Sequence, residues 1–410
     1  MENSVSFHRS LRRLGIIFFL LDALVNTALA QDSLLTKSDI IKLDLKALAE
    51  KRIKVRSKDP GLMPAYLQLL HDADQLLDEA PVSVMQKAGF PPSGDKHDYM
   101  SIAPYFWPDS SKPDGLPYIN RDGVVNPEVR KYTDKLNLSI LCENIYLLSL
   151  AYYFSNDEKY AKHAGKLTEV WFLDPATRMN PNLNYGQAVK GITEGRAEGL
   201  MDSRFFIWAI DGVRLLQTSR FWTPRDQSSL KEWFSAFLNW MQTSRIGQKE
   251  MNAKNNHGVW YDAQSLAMAL FVDSLDLADK IVLRAASRLD QQMDTSGLFP
   301  LELTRTTSLH YSVFILNAFT VVAQLSEQTH TDLWSVESPS GKSLKKGFQA
   351  ILPYIIREKP WPWPQIHEFD YYNTVPILVT DKSKFQCPSC SEALQHIEGK
   401  DYQRSLFILL

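Results

Sequence analysis

The 410-residue chain contains only three cysteines, Cys142, Cys387 and Cys390, too few for a disulfide-rich scaffold. It has no excess of positive charge. Its 45 basic residues face 47 acidic ones, for a net charge of −2, so the electrostatic footprint of a nucleic-acid-binding surface is missing. Any polyanion it recognises must be met in a local basic cleft. Near the N-terminus the apolar run Gly15–Leu21 is broken at Asp22 and Asn26, too short and too polar to span a bilayer, and the overall composition excludes a polytopic membrane protein. No Gly/Ser-rich or low-complexity linker divides the chain, so residues 31–410 read as a single domain. What is present is a globular composition, 44% apolar and 22% charged. The 10 Trp, 16 Tyr and 20 Phe suit a large core, and they also suit surfaces on which sugar rings stack.

Residues 1–30 read as an export signal. Arg9, Arg12 and Arg13 form a basic start, the apolar run follows, and Ala28-Leu29-Ala30 is a cleavage site of the A-x-A type. No cysteine follows the apolar run, so a bacterial lipid anchor is not expected. The mature protein should be periplasmic or secreted, without stable membrane association. In that setting Cys387-Pro-Ser-Cys390 is favoured as a local disulfide over a redox pair or half of a metal site completed by His367 and His396, whose spacing fits no standard zinc pattern. Cys142, within the apolar stretch Leu136–Leu150, reads as a buried small hydrophobe.

Helix-period apolar patterns run through about residues 37–56, 61–79, 134–154, 157–172, 197–218, 223–244, 257–272, 275–293, 308–326 and 341–357. Turns as short as Ser155-Asn156-Asp157 and Asp273-Ser274 imply antiparallel neighbours. The stretches Leu150–Leu167 and Leu266–Leu283 resemble each other, a weak repeat of helical hairpins in a stacked or ringed array. Two long segments, Pro91–Arg130 and Leu173–Arg196, do not read as helix, and structureless stretches of that length are usually functional. A third, Lys359-Pro-Trp-Pro-Trp-Pro364, is stiff and aromatic.

Chemistry concentrates in two places. In Asn255-Asn-His-Gly-Val-Trp-Tyr-Asp-Ala-Gln264 a helix capped by Asn255 or Asn256 places His257, Trp260, Tyr261 and Gln264 on one face. Such a face suits a sugar cleft, and equally a hydrogen-bonded core. In Phe299-Pro-Leu-Glu-Leu-Thr-Arg-Thr-Thr-Ser-Leu-His-Tyr311, Thr306, Thr307 or Ser308 would cap a helix, with Arg305 just before it and Tyr311 one turn inside. Six residues apart on one helix they would diverge, so Arg305 must sit on a loop if the two are to converge. The plain alternative is a surface Arg305 paired with Glu302, and a buried tyrosine.

With His97-Asp-Tyr-Met-Ser-Ile-Ala-Pro-Tyr-Phe-Trp-Pro-Asp109, Asp114-Gly-Leu-Pro-Tyr118, Asn180-Pro-Asn-Leu-Asn-Tyr-Gly186 and Gly195-Arg196, these stretches resemble, in order, the alginate-lyase-like superfamily of polysaccharide lyases. They look most like its branch acting on glucuronan and mannuronate-type alginate. The resemblance covers most of residues 85–330. It implies an all-α fold, an incomplete (α/α) toroid, and an anionic polysaccharide as substrate. By motif position it makes Asn256, His257, Arg305 and Tyr311 the catalytic set. Elimination removes H5, α to a carboxylate, so that carboxylate must first be neutralised by donors such as Asn256 and Arg305. Tyr311 is then the expected base. With an ordinary value near 10, it needs its pKa lowered by roughly 2–3 to act near neutrality, an effect expected of Arg305 and of a protonated His257. Tyr99, Tyr105, Trp107, Asn182, Asn184, Gln187 and Arg196, with Trp260, Tyr261 and Gln264, are expected to line the sugar cleft; the alternative for the Asn-rich stretch is a set of capped turns.

A glycoside hydrolase is the nearest rival. It would need a carboxylate pair across the scissile bond, for which Glu194, Glu198, Asp202 and Glu302 are available without an evident dyad. A non-catalytic sugar-binding protein, with Trp107, Trp361 and Trp363 as platforms, would have no need of His257 with Tyr311. No metal-ligand set stands out, so no cofactor is expected. Nothing in the sequence bears on oligomeric state.

Overall fold

The computed structural model describes residues 44–385 and 387–410; the expected export signal lies outside these. Helices dominate, and they are joined as antiparallel hairpins into an (α/α) toroid, the class that the sequence implies. The hairpin turns follow from local chemistry. Helix Asp134–Ser155 stops at Asn156, which takes a left-handed φ of 63°, and Asp157 then caps Glu158–Thr168 by accepting from the Lys159 N–H at 3.0 Å. The second hairpin repeats this at Asp273 (φ 59°), between helices Asn256–Phe271 and Leu275–Gln292. Thr223 and Asp226 form a reciprocal capping box, with Pro224 in the first turn, at the head of Pro224–Thr243.

Helix Asn256–Phe271 is the hub. It packs against Pro224–Thr243, Leu275–Gln292, Ser308–Ser326 and Phe206–Leu215, and every one of its residues except His257 is buried. Much of the aromatic content goes into the core beside it. Phe172, Phe206, Trp233, Phe234 and Phe237 meet with ring centroids 4.9–5.7 Å apart, largely edge to face. Asp134–Ser155 and Ser308–Ser326 are apolar and long enough to cross a membrane by composition, yet both are mostly buried in the protein interior.

Of the first expected helix, 37–56, the structure describes Leu45–Arg56, residues 37–43 lying outside the described residues; the other helical expectations agree with the structure to within a few residues, with one exception. Residues 197–205 form a 3-10 segment, Ala197–Phe205, and only Phe206–Leu215 is α-helix. The helices Arg245–Met251, Pro300–Leu303, Val375–Lys384 and Cys390–Glu398 have no counterpart among the sequence patterns. The two long irregular segments meet each other. Strand Met100–Ile102 pairs in parallel with Tyr185–Ala188, and Phe106–Trp107 pairs antiparallel with Ile119–Asn120. The strand Tyr185–Ala188 crosses the segment after Gly195 so closely that a Cβ on Gly199 would lie 2.5 Å from the Gly186 carbonyl oxygen. Cys387 and Cys390 are disulfide-bonded, and Cys142 is buried.

Candidate active site

Arg305 lies in the loop between Pro300–Leu303 and Ser308–Ser326, as convergence with Tyr311 requires. The loop is gripped from two sides. Asp122 accepts from Arg305 Nε (3.1 Å) and Nη2 (2.5 Å) and from the Thr306 N–H (3.2 Å). On the other side Pro364 accepts from the Ser308 N–H, Gln365 from the Leu309 N–H, and the Ile366 N–H donates to Thr306. The stiff Pro-Trp segment therefore serves as a clamp, with Trp361 Nε1 donating to Ser308 Oγ at 2.7 Å. Gly123 makes the close approach possible: its φ is +78°, and a Cβ there would meet Thr306 Oγ1 at 2.5 Å.

So held, the Arg305 guanidinium lies over the Tyr311 ring, 3.6 Å from its centroid. Nη1 has no partner among the described residues. Arg305 is thus neither a plain surface residue nor the partner of Glu302. The Tyr311 hydroxyl donates to the Tyr105 hydroxyl at 3.2 Å. Tyr311 is 7% exposed. Burial, joined by Tyr105, pushes its pKa well up, and Arg305 opposes this only in part. The expected lowering is therefore absent in the ligand-free protein. Desolvation outweighs one cation over the ring, and the charge of His257 is answered by nearby carboxylates instead. His310, to which the sequence drew no attention, stacks on Phe314 and edges against Tyr311; burial, with Arg204 and Arg305, lowers its pKa and keeps it neutral.

Asn256 opens its helix. Its backbone N–H and its Nδ2 donate to the two oxygens of Glu302, at 2.7 and 2.8 Å, while Asn255 makes no side-chain cap bond. A carboxylate from another element thus caps this helix, where the helix dipole favours negative charge. Burial raises the Glu302 pKa against the pull of these donors. Asn256 is fully buried; its Oδ1 has no hydrogen-bond partner, and its Nδ2 carries a second proton beyond the one given to Glu302. His257 Nδ1 sits 2.6 Å from Oε1 of Glu250, on the short helix Arg245–Met251. Burial alone would lower the His257 pKa, but Glu250, with Glu198 and Glu302, raises it. Arg196 joins the same cluster: its Nη2 donates to Gln187 Oε1 at 2.9 Å, its guanidinium lies over Phe106, and Glu198 is 3.7 Å from its Nε.

Several residues expected to line the cleft are buried in the core. Tyr99 is fully buried and donates to Asp202; Tyr261 donates to the Met241 carbonyl; Gln264 accepts from Ser203 Oγ and donates to the Trp260 carbonyl. Trp260 is buried against Phe314. The reason is direction. A helix rises about 1.5 Å per residue, so a helix that enters the core at His257 carries the residues three to seven positions on away from the cleft. Asn182 builds a turn, accepting from the Asn184 N–H and donating to Asp98, and Asn184 accepts from Trp240. Asn182 matches the capped-turn alternative, whereas Asn184 is exposed. Gln187 is buried but touches Arg196, whereas Tyr105 and Trp107 are half-exposed. Among the described residues, no group of three or more His, Cys, Asp or Glu side chains is placed to hold a metal ion.

The sequence matches the alginate lyase family over residues 83–361. The fold is similar to the crystal structure of an alginate lyase from Bacteroides ovatus, with a TM-score of 0.85 and 38% identity, over 90% of this chain and 99% of that one. It is also similar to alginate lyase A1-III from Sphingomonas species A1 (TM-score 0.51, 14% identity, 81% of this chain and 91% of that one). A tyrosine-to-phenylalanine variant of A1-III complexed with tetrasaccharide gives a TM-score of 0.54 at 13% identity, over 84% and 89% of the two chains. At these identities the likeness to A1-III is one of fold. No curated protein sequence matches. The chain belongs to the alginate lyase family and is a polysaccharide lyase.

Proposed function

We propose that the protein is an exported lyase that cleaves alginate and related β-1,4-linked polyuronates, polymannuronate and glucuronan in particular, by β-elimination. The observation that carries this reading is the Arg305 guanidinium held over the Tyr311 ring by Asp122, with Nη1 left for a ligand. Export rests on the basic, apolar and A-x-A features of residues 1–30.

In this reading the uronate carboxylate is received by Arg305 Nη1, the remaining Nδ2 proton of Asn256 and the imidazolium of His257. Neutralising it stabilises the charge that develops as H5 leaves. Tyr311, as phenolate, takes H5 from C5. The C4=C5 double bond forms, the C4–O4 bond breaks, and the new hydroxyl returns its proton to O4 of the departing sugar. Arg305 over the ring favours the phenolate, against the burial and the Tyr105 contact that disfavour it. In β-D-mannuronate and β-D-glucuronate, O4 is equatorial and H5 axial, on the same side. One tyrosine can then reach both atoms, within the ~3 Å that proton transfer needs. In α-L-guluronate the two are anti and would require a base opposite Tyr311.

A hydrolase is disfavoured by where its candidate carboxylates lie. Asp202 is committed to Tyr99, Ser101 and Lys135, Glu302 to Asn256, and Glu198 faces Arg196, while Glu194 is exposed. The test is a panel of polymannuronate, glucuronan and polyguluronate, read by ultraviolet absorbance of the new double bond. Absence of unsaturated product on all three would sink the proposal. Comparable kcat/KM on polyguluronate would defeat the single-tyrosine mechanism.

A further inference from the structure

Glu250 is a buried acid to which the elimination assigns no step. Its side chain is 3% exposed, and its carboxylate meets His257 Nδ1 at 2.6 Å. The loop between the two residues is pinned: Arg288 donates to the Ala253 and Met251 carbonyls while paired with Asp262. His257 is the one residue of its helix that is not buried. With Nδ1 taken by Glu250, Nε2 is the nitrogen left for a substrate, and it has no partner among the described residues.

We propose that Glu250 is a specificity-determining positioning residue: by anchoring His257 through Nδ1 it keeps the imidazole a donor to the substrate carboxylate and withholds it as a base. The inference rests on the elimination reading above and deepens it. The charged groups around His257 agree with it. Glu250 faces it from the Arg245–Met251 helix, Glu198 from the Ala197–Phe205 segment and Glu302 from the Pro300–Leu303 turn. Arg196 is answered by Glu198, and Arg288, which lies against Gly258, by Asp262; Arg305 is answered by Asp122 and Lys249 interacts with Glu198. Glu250, Glu198 and Glu302 act on the imidazole directly and favour the imidazolium, against the burial that disfavours it. In that form Nε2 carries a proton and has no lone pair for H5 of α-L-guluronate. Once His257 is neutral, with Nδ1–H still donated to Glu250, Nε2 becomes the base that the anti geometry needs. H5 then passes to Nε2, C4=C5 forms, C4–O4 breaks, and the Tyr311 hydroxyl protonates O4; solvent exchange resets both groups.

The Glu250→Gln variant keeps an acceptor for Nδ1 and removes the charge. In ligand-free protein labelled with 13C-histidine and assigned with His257→Asn, His257 should titrate about 1–2 pH lower in Glu250→Gln than in wild type. At neutral pH the ratio of kcat/KM on polyguluronate to that on polymannuronate should rise at least about tenfold, about 1.4 kcal/mol of discrimination. Glu250→Asp, which retains the charge, should stay near wild type in both. Should Glu250→Gln fail to fold, the wild-type ratio itself should climb as pH passes the His257 titration. Unchanged titration in Glu250→Gln overturns the proposal, as does a lowered titration with an unchanged ratio, or a wild-type ratio flat through that pH. A wild type giving no unsaturated product from any polyuronate would instead sink the elimination reading, while the titration still reports on the anchor.

Discussion

Replacing Tyr311 by phenylalanine removes one hydroxyl and leaves the rest of the site in place. A single hydrogen bond goes with it, the 3.2 Å bond to the Tyr105 hydroxyl, worth about 0.5–1.5 kcal/mol of stability. The ring that Arg305 covers at 3.6 Å is retained, and so is the pairing of Arg305 with Asp122. Thermal unfolding should therefore move by a few degrees at most. Substrate binding should change little, because the carboxylate donors are untouched, and KM should stay within about threefold. Turnover is different, since the same hydroxyl is assigned both the removal of H5 and the protonation of O4. A positioned acid or base contributes about 10²–10⁴-fold, so losing both roles should lower kcat at least ~10³-fold, about 4 kcal/mol in the barrier. The assay is initial-rate absorbance of the unsaturated uronate on polymannuronate, with stability and saturation measured on the same preparation. Tyr105→Phe is the companion: it removes the acceptor of the Tyr311 hydroxyl, a group that raises the Tyr311 pKa, and should change kcat by no more than about tenfold, near 1.4 kcal/mol. If Tyr311→Phe turned over within tenfold of wild type at normal KM, the base would be another group, with His310 and His257 the next to test.

Asp122→Asn should free the Arg305 loop, raising KM and lowering kcat together, with a loss of kcat/KM of about tenfold or more for a charge-assisted pair. Burial acts against the Asp122 carboxylate, but Arg305 and Thr306 hold its pKa below the usual value. Its contribution is therefore complete above the ordinary Asp value near 3.9 and lost only as pH falls through the lowered one, so wild type and variant should differ by a constant factor across about pH 5–8. Arg196→Ala should raise KM for polymer about tenfold with kcat little changed, measured by saturation kinetics; both constants unchanged would return the Gln187–Arg196 pair to a purely structural role. Asp262→Ala would leave Arg284 and Arg288 facing a buried void and unpin the loop that carries Glu250 toward His257. A loss of about 3–5 kcal/mol is expected for breaking such a buried pair, read by denaturant unfolding.

Helical periodicity and turn chemistry were sufficient, from sequence, to place the hairpins. The apolar repeats and the Asn156 and Asp273 turns are interactions between near neighbours, and near neighbours are what a sequence displays. For Arg305 and Tyr311 the sequence set a condition, because six residues apart on one helix they would diverge and a loop must bring them together; that they do converge came from the structure. Which side chains face the cleft was not legible. His257, Trp260, Tyr261 and Gln264 share a helical face, but only the tertiary arrangement sends that helix inward from His257, so that the cleft receives one of the four and the core the rest. The groups that hold the site were hidden for the same reason. Glu302 is 46 residues from Asn256 and Asp122 is 183 from Arg305, while Glu250 approaches His257 only because Arg288 fastens the loop between them. The pKa of Tyr311 shows the limit most plainly. Its neighbours in sequence argue for a lowered value, and burial, which exists only in the folded chain, drives it the other way.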